Sequence, residues 1–236
     1  YLYCLNNPDF RNEYYKRVYD LQKEMGFDAW MIDEVEWLPD WYVCGCRHCR
    51  EKFKKETGYD LPTNKNSEIW GDFTNPIWRA WIAARMRWCG DFFRDLRSYL
   101  EDNGIHDLPL TACHAGITSI WSSQYWGIDV VELTRGIDWV FYEAFVGNGA
   151  PFYSWRRYIA EIQVYSALAR AKTDHNSFVL FYPMGAKEEF DWCWSAAYTL
   201  GQRSWYRSPY IDGIKWEQRH EYLSYPKGKE IVDVGL

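Results

Sequence analysis

The chain has 236 residues, of which 47% are hydrophobic and 25% charged, a balance that gives a sizeable core and excludes the disordered class. A net charge of −6 without a long Lys/Arg tract argues against nucleic acid or an anionic membrane as the main partner. No apolar run approaches the roughly 18–20 residues of a membrane span.

The unusual number is the aromatic share, 19%, with 15 Trp and 19 Tyr. Trp81, Trp88, Phe92 and Phe93 recur at helical spacing and are predicted to fill a core. Trp37, Trp41, Trp121 and Trp126 fall in predicted loops, where a ring can stack on the C–H face of a sugar. The sequence begins at Tyr1 without a methionine, so the natural N-terminus is expected upstream, and the compartment is not read from it.

In chain order, Asn7 caps and Pro8 opens a helix whose apolar stripe is Phe10, Tyr14, Val18, Leu21 and Met25, with Gly26 as its stop. A strand over 28–33 ends in Asp33-Glu34. A loop with Cys44, Cys46 and Cys49 leads into a small helix over 51–57, closed by Gly58. Asn75-Pro76 starts a long helix that ends near Gly104. Strands are predicted over 108–113, 138–144, 177–182 and 204–207, with helices over 151–173 and 188–201 between the later ones. Strand–helix alternation with short, continuously apolar strands marks a parallel sheet covered on both faces.

A doubly wound sheet and a (β/α)8 TIM barrel both fit that alternation. No G-x-G-x-x-G or P-loop turn follows any strand, which removes the main sign of a nucleotide-binding sheet. Polar residues instead recur at strand ends: Asp33-Glu34, His114, Glu143, and the segment after Tyr182. Barrels build their sites in this way. The α/β reading is therefore a TIM barrel over 1–229, with about five strands present. That count fits the latter part of a barrel, about strands 4–8, with early strands ahead of Tyr1. Such a piece leaves open sheet edges, so it is expected to be unstable alone and to belong to a larger polypeptide or a homo-oligomer.

Seven cysteines are present, and four follow the pattern C…C-x-C-x2-C: Cys4, Cys44, Cys46 and Cys49. Close spacing lets these thiolates converge on one ion and favours zinc over disulfides. The role would be structural, because four protein ligands leave no open position. The alternative is a set of free buried thiols or a local disulfide such as Cys44 with Cys49. Cys89, Cys113 and Cys193 read as small buried side chains.

The stretches Cys4-Leu-Asn-Asn-Pro-Asp-Phe-Arg11, Trp30-Met-Ile-Asp-Glu34 and Cys44-Gly-Cys-Arg-His-Cys-Arg-Glu-Lys-Phe53 resemble the glycoside hydrolase family 42 β-galactosidases and their superfamily. Tyr59-Asp-Leu-Pro62 is similar as well, and Ile231-Val-Asp-Val-Gly-Leu236 resembles the opening strand of the α/β domain that follows the barrel there, so a second domain is expected from 230. The resemblance implies a zinc held by the four cysteines and an acid/base carboxylate at the end of the fourth barrel strand, which falls on Glu34. Two departures stand out. Asp33 replaces the family's Asn, and the 177–182 strand reads Phe-Tyr-Pro-Met at its end where the nucleophilic Glu belongs.

Glycoside hydrolysis needs one carboxyl group to protonate the leaving oxygen and a second to act as nucleophile or to activate water. Glu34 is the first candidate for acid/base, since partial desolvation at a strand end would raise its pKa. Asp33 and Glu143 are the candidates for the second role. Adjacent strand residues face opposite ways, so Asp33 and Glu34 share a pocket only if the strand has already ended. Glu188, Glu189 and Asp191 sit at a predicted helix start, where acidic residues are favoured anyway. His114, Trp37, Trp121 and Tyr182 are candidates for substrate binding. The sequence therefore supports a glycosidase acting on a carbohydrate, or a non-catalytic carbohydrate-binding relative that kept fold and zinc. A catalytic zinc hydrolase is weaker, because no H-E-x-x-H exists and the five histidines are scattered.

Overall fold

The computed structural model describes residues 3–38, 40–115, 122–146, 155–173, 178–183, 192, 195, 196, 199, 200 and 203–206. The chain divides into two compact units, Tyr1–Asp138 and Trp139–Leu236. Among the described residues no helix is long and apolar enough to cross a membrane.

In the first unit, α1 (Pro8–Met25) starts where the Asn7 side chain accepts from the Asp9 amide at 3.0 Å, with proline in the first turn. The strand β1 (Trp30–Asp33) follows, then α2 (Arg47–Thr57), α3 (Pro76–Asp102) and β2 (Leu110–Ala115). β1 and β2 run parallel, with Ile32 opposite Ala112 and Asp33 opposite Cys113. A π-helical turn, Ser122–Trp126, and a short helix α4 (Val130–Leu133) complete the unit. Neither was predicted. α2 begins four residues earlier than predicted, because Cys46 takes the extended conformation of a helix cap (φ −71°, ψ 172°).

The core of this unit is built on α3, whose Trp78, Trp81, Trp88 and Phe93 are completely buried. Phe53 of α2 stands edge-on to Trp81 at 5.5 Å, and Trp81 to Trp88 at 5.7 Å, the arrangement the ring quadrupoles prefer. α1 docks through Tyr15 and Val18. Its predicted stripe is corrected at the C-terminal end, where Leu21 and Met25 are exposed.

Tyr15 packs on Phe92 at 5.2 Å and donates its hydroxyl to the Phe92 carbonyl at 2.8 Å. Burial pushes that phenol well above the usual tyrosine range. Tyr15→Phe is expected to cost about 1 kcal/mol, read as a lower urea midpoint at unchanged slope in the complete protein.

Arg85 is an unusual member of the core. It is fully buried on the Trp81–Trp88 face of α3, and donates through Nη1 to the Gln124 carbonyl at 2.8 Å and through Nη2 to that of Tyr125. These acceptors belong to the π-helical turn. Burial lowers its pKa to about 10, which leaves the group cationic at neutral pH.

In the second unit β3 (Trp139–Val146), β4 (Phe178–Pro183) and β5 (Arg203–Tyr206) form a parallel sheet in that order. Glu143 lies opposite Leu180, and Phe145 opposite Tyr182. The helix α5 (Trp155–Thr173) packs on β3 and buries Ile162 and Tyr165. The helix predicted over 188–201 falls largely outside the described residues, as does everything after 206. Parallel strands alternating with helices bear out the α/β reading. The described strands are consistent with part of a barrel and do not themselves close one.

Candidate functional site

Cys4 precedes α1 in a tight turn, where the Asn7 amide donates to the Cys4 carbonyl at 2.9 Å. Cys46 caps α2 and Cys49 lies in its first turn, so both sulfurs belong to the positive end of a helix. All four predicted sulfurs lie within 4.8 Å of one another, with Cys4 at 3.4 Å from both Cys49 and Cys46. The thiols are free, so the alternative disulfide between Cys44 and Cys49 is not formed.

Asn6 completes this cluster. Its backbone amide points to the Cys4 sulfur at 3.4 Å and its side-chain Nδ2 to the Cys49 sulfur at 3.3 Å. The other end of the same amide, Oδ1, accepts from Lys52 Nζ at 3.2 Å, which fixes the amide with its N–H groups toward sulfur. Lys52 is held between Glu56 and Asp91 at 3.9 and 3.7 Å and over the Trp88 ring at 5.2 Å. Burial lowers its pKa. Sequence reasoning missed both residues, because only the fold brings Lys52 to Asn6.

The electrostatics of the cluster are those of a shared proton set. Hydrogen bonds from Cys4 and then Cys49 hold the Cys44 thiol down at about 2. The Cys4 thiol, donating to Cys44, is pushed up to about 12. Cys49 is raised further by its bonds to Cys4 and Cys44 and by burial. Cys44 is thus the thiolate favoured beside Cys4 and Cys49, and further negative charge in so small a space needs a cation. The donor set can hold one metal ion.

The strand-end carboxylates lie in separate units. In the first unit β1 ends at Asp33, and Glu34 follows with φ +46°, a left-handed conformation uncommon for a side chain of this size. The Glu34 amide still reaches the Cys113 carbonyl of β2 at 3.1 Å. The strand has therefore ended, and simple alternation no longer forces Asp33 and Glu34 to opposite faces. Both are exposed. The expected desolvation of Glu34 by its surroundings is corrected accordingly. In the second unit Glu143 is half-buried on β3, on the same face as Phe141.

Of the predicted substrate contacts, Trp37 is corrected. It is 3% exposed, donates Nε1 to the Arg85 carbonyl at 3.1 Å and stands 6.2 Å from Trp88, so it is a core residue in a loop and has no face for a sugar. His114 lies on β2 and Tyr182 on β4, their side chains outside the described set. Trp121, Glu188, Glu189 and Asp191 lie outside the described residues. Cys89 and Cys113 are buried as expected.

No family model matches the chain and no curated protein matches it. Solved structures do. The glycoside hydrolase domain of PgaB (BpsB) from Bordetella bronchiseptica superposes with a TM-score of 0.66 at 15% identity, over 93% of this chain and 62% of that one. The cold-adapted β-galactosidase of Rahnella sp. R3 gives 0.54 at 15% identity, over 86% of this chain and 34% of that one. The chain thus spans less than two thirds of either neighbour, and the likeness is one of fold. It supports a glycoside-hydrolase-like fold, without singling out family 42.

Proposed function

We propose that the chain is the zinc-braced part of a glycoside hydrolase in which Glu34 is the general acid/base. The observation that carries this reading is the place of Glu34: directly after a parallel strand, with its carboxyl exposed, in a fold shared with glycoside hydrolases. In the proposed reaction Glu34 gives its proton to the glycosidic oxygen as the bond to the anomeric carbon breaks. The second carboxylate, Glu143 or Asp33, either attacks that carbon or takes a proton from the attacking water. A substrate seated over the strand end expels water from Glu34 and favours its protonated form, as an acid needs before bond cleavage. The test is hydrolysis of a panel of aryl and natural glycosides by the complete protein, with the anomer of the first product read by NMR. No turnover of any glycoside would remove the proposal.

The metal of this reading is zinc. Four sulfurs at about 2.3 Å from a tetrahedral ion stand about 3.8 Å apart; Cys4 stands 3.4 Å from both Cys49 and Cys46 and all four sulfurs lie within 4.8 Å of one another, a spacing close to that value. Zinc would brace the loop between Glu34 and α2 and take no part in the chemistry. Asn6→Ala is expected to weaken zinc binding about 10–100-fold, the usual effect of losing an outer hydrogen bond to a ligand. Competition with a chromophoric chelator at fixed pH measures it, and unchanged affinity would remove Asn6 from this role.

A second reading is a carbohydrate-binding relative without catalysis. It is favoured by β4, which reads Phe-Val-Leu-Phe-Tyr-Pro and carries no carboxylate.

A further inference from the structure

We infer that the open pocket lined by Asp40, Trp41, Tyr42, Lys65, Trp70 and Tyr125 is a saccharide-binding subsite that takes a single pyranose ring. The choice of ligand class rests on the carbohydrate-active reading above; the pocket stands on its own geometry. Its volume is about 230 Å³, below the roughly 300–1,000 Å³ of sites for drug-sized ligands, so it seats one ring, and its open mouth lets the rest of a longer saccharide lie outside. Trp41 and Tyr125 stand 5.5 Å apart with ring planes 37° from each other, and Tyr42 meets Trp70 edge-on at 5.6 Å. Above these apolar walls lie two exposed charged groups, Asp40 and Lys65. The Asp40 carboxylate accepts from the Tyr42 amide at 2.8 Å, which fixes it on the pocket wall, and Lys65 Nζ lies 5.6 Å from the centre of the Tyr42 ring.

A pyranose matches this combination. Its C–H face is apolar and its hydroxyls project from the edge, where a carboxylate accepts and an ammonium donates. A purely apolar ligand would desolvate both charges without compensation.

The walls are also built in a way that an incidental surface dimple is not. A Cβ on Gly71, at φ +88°, would come within 3.0 Å of Trp41 Cη2, and one on Gly45 within 2.3 Å of Tyr42 Cζ. The Tyr42 ring therefore occupies the space a side chain at 45 would need, and the Trp41 ring lies against a turn whose positive φ at 71 favours glycine. Gly45 lies between Cys44 and Cys46, and its carbonyl accepts from the Tyr42 hydroxyl at 3.3 Å and from Arg50 Nη1 at 2.9 Å. The backbone of the metal loop is thus the floor under Tyr42, and the subsite depends on the cysteine cluster for its shape.

The experiment uses the complete reading frame with Glu34→Gln to stop turnover, and titrates cellotetraose, xylotetraose, β-1,4-galactotetraose and chitotetraose by calorimetry. At least one is expected to bind. Trp41→Ala should then weaken it by roughly tenfold or more, as loss of a central aromatic contact does. The double change Asp40→Asn with Lys65→Met, which removes both charges and keeps an acceptor for the Tyr42 amide, should weaken it in the same direction without altering the unfolding transition. Chelation should shift the tryptophan emission and weaken binding together.

Failure of all four sugars to bind, or unchanged affinity in the surface double variant, overturns the subsite. Hydrolysis of nitrophenyl monoglycosides by the protein with Glu34 intact keeps the two readings apart. Turnover there with unaltered tetrasaccharide affinity in the pocket variants removes the subsite alone. Lost affinity in those variants with no glycoside turned over removes only the glycosidase reading.

Discussion

Glu34→Gln is expected to lower the turnover of natural glycosides by roughly 10²–10⁴-fold, the contribution of a positioned general acid. Gln keeps the size of the side chain and its capacity to accept a hydrogen bond, and it removes only the proton that the leaving oxygen needs. Leaving groups that depart without protonation should be spared. Aryl glycosides with acidic phenols are therefore expected to lose much less in the step that expels the phenol, and this asymmetry separates an acid from a residue that merely binds. Near wild-type activity on natural glycosides would rule Glu34 out. Glu143→Gln is the companion measurement, and full activity there assigns the second role to Asp33 or to the 188–191 segment.

Cys46→Ser carries the largest expected effect on stability, and its sign is diagnostic. Cys46 occupies the N-cap of α2 and makes no side-chain cap hydrogen bond, whereas serine is among the residues most favoured there, by about 0.5–2 kcal/mol over residues that cannot cap. Without a metal, the change should be neutral or stabilising. With one, it removes a ligand and leaves three clustered thiols around an incomplete site, and a loss beyond about 4 kcal/mol is expected, the range in which metal loss belongs. Denaturant unfolding of the two proteins, with metal content measured on each, checks this. Protons compete with metal for the sulfurs, so the stability difference should shrink as pH falls.

Helix ends were legible wherever capping is written in residue types. Asn7-Pro8 and Asn75-Pro76 mark the starts of α1 and α3 because an amide acceptor followed by a ring with fixed φ suits a helix cap and first turn, and an apolar periodic stretch follows each. The start of α2 was not legible, since cysteine carries no capping signal. The short α4 does carry one: Asp129 accepts from the Glu132 amide at 2.9 Å, a capping residue written in the sequence.

The cysteine cluster could be read because three of its members lie within six residues. The pairing of Asn6 with Lys52 could not, because their hydrogen bond spans 46 positions. Trp37 shows the limit of reading loops by position. Periodicity locates rings on helices and strands, while a ring in a loop is buried or exposed according to what the rest of the fold brings to it, here Trp88 and the Arg85 carbonyl. The place of Glu34 at a strand end was legible as well; its exposure depends on what surrounds that end, which its own strand does not encode.

Arg85 couples two stretches of sequence that share no motif. Its guanidinium serves the carbonyls of Gln124 and Tyr125 in the π-helical turn, while its own carbonyl holds Trp37. An apolar residue at 85 would fill the space and leave those two carbonyls without their donors; a lysine could not reach both with the same planar fork. Among homologous sequences, position 85 and the length of the 122–126 turn should therefore change together, with arginine kept wherever the inserted residue of the turn is kept. An alignment deep enough to measure that joint variation would reveal the turn in relatives for which only sequence exists.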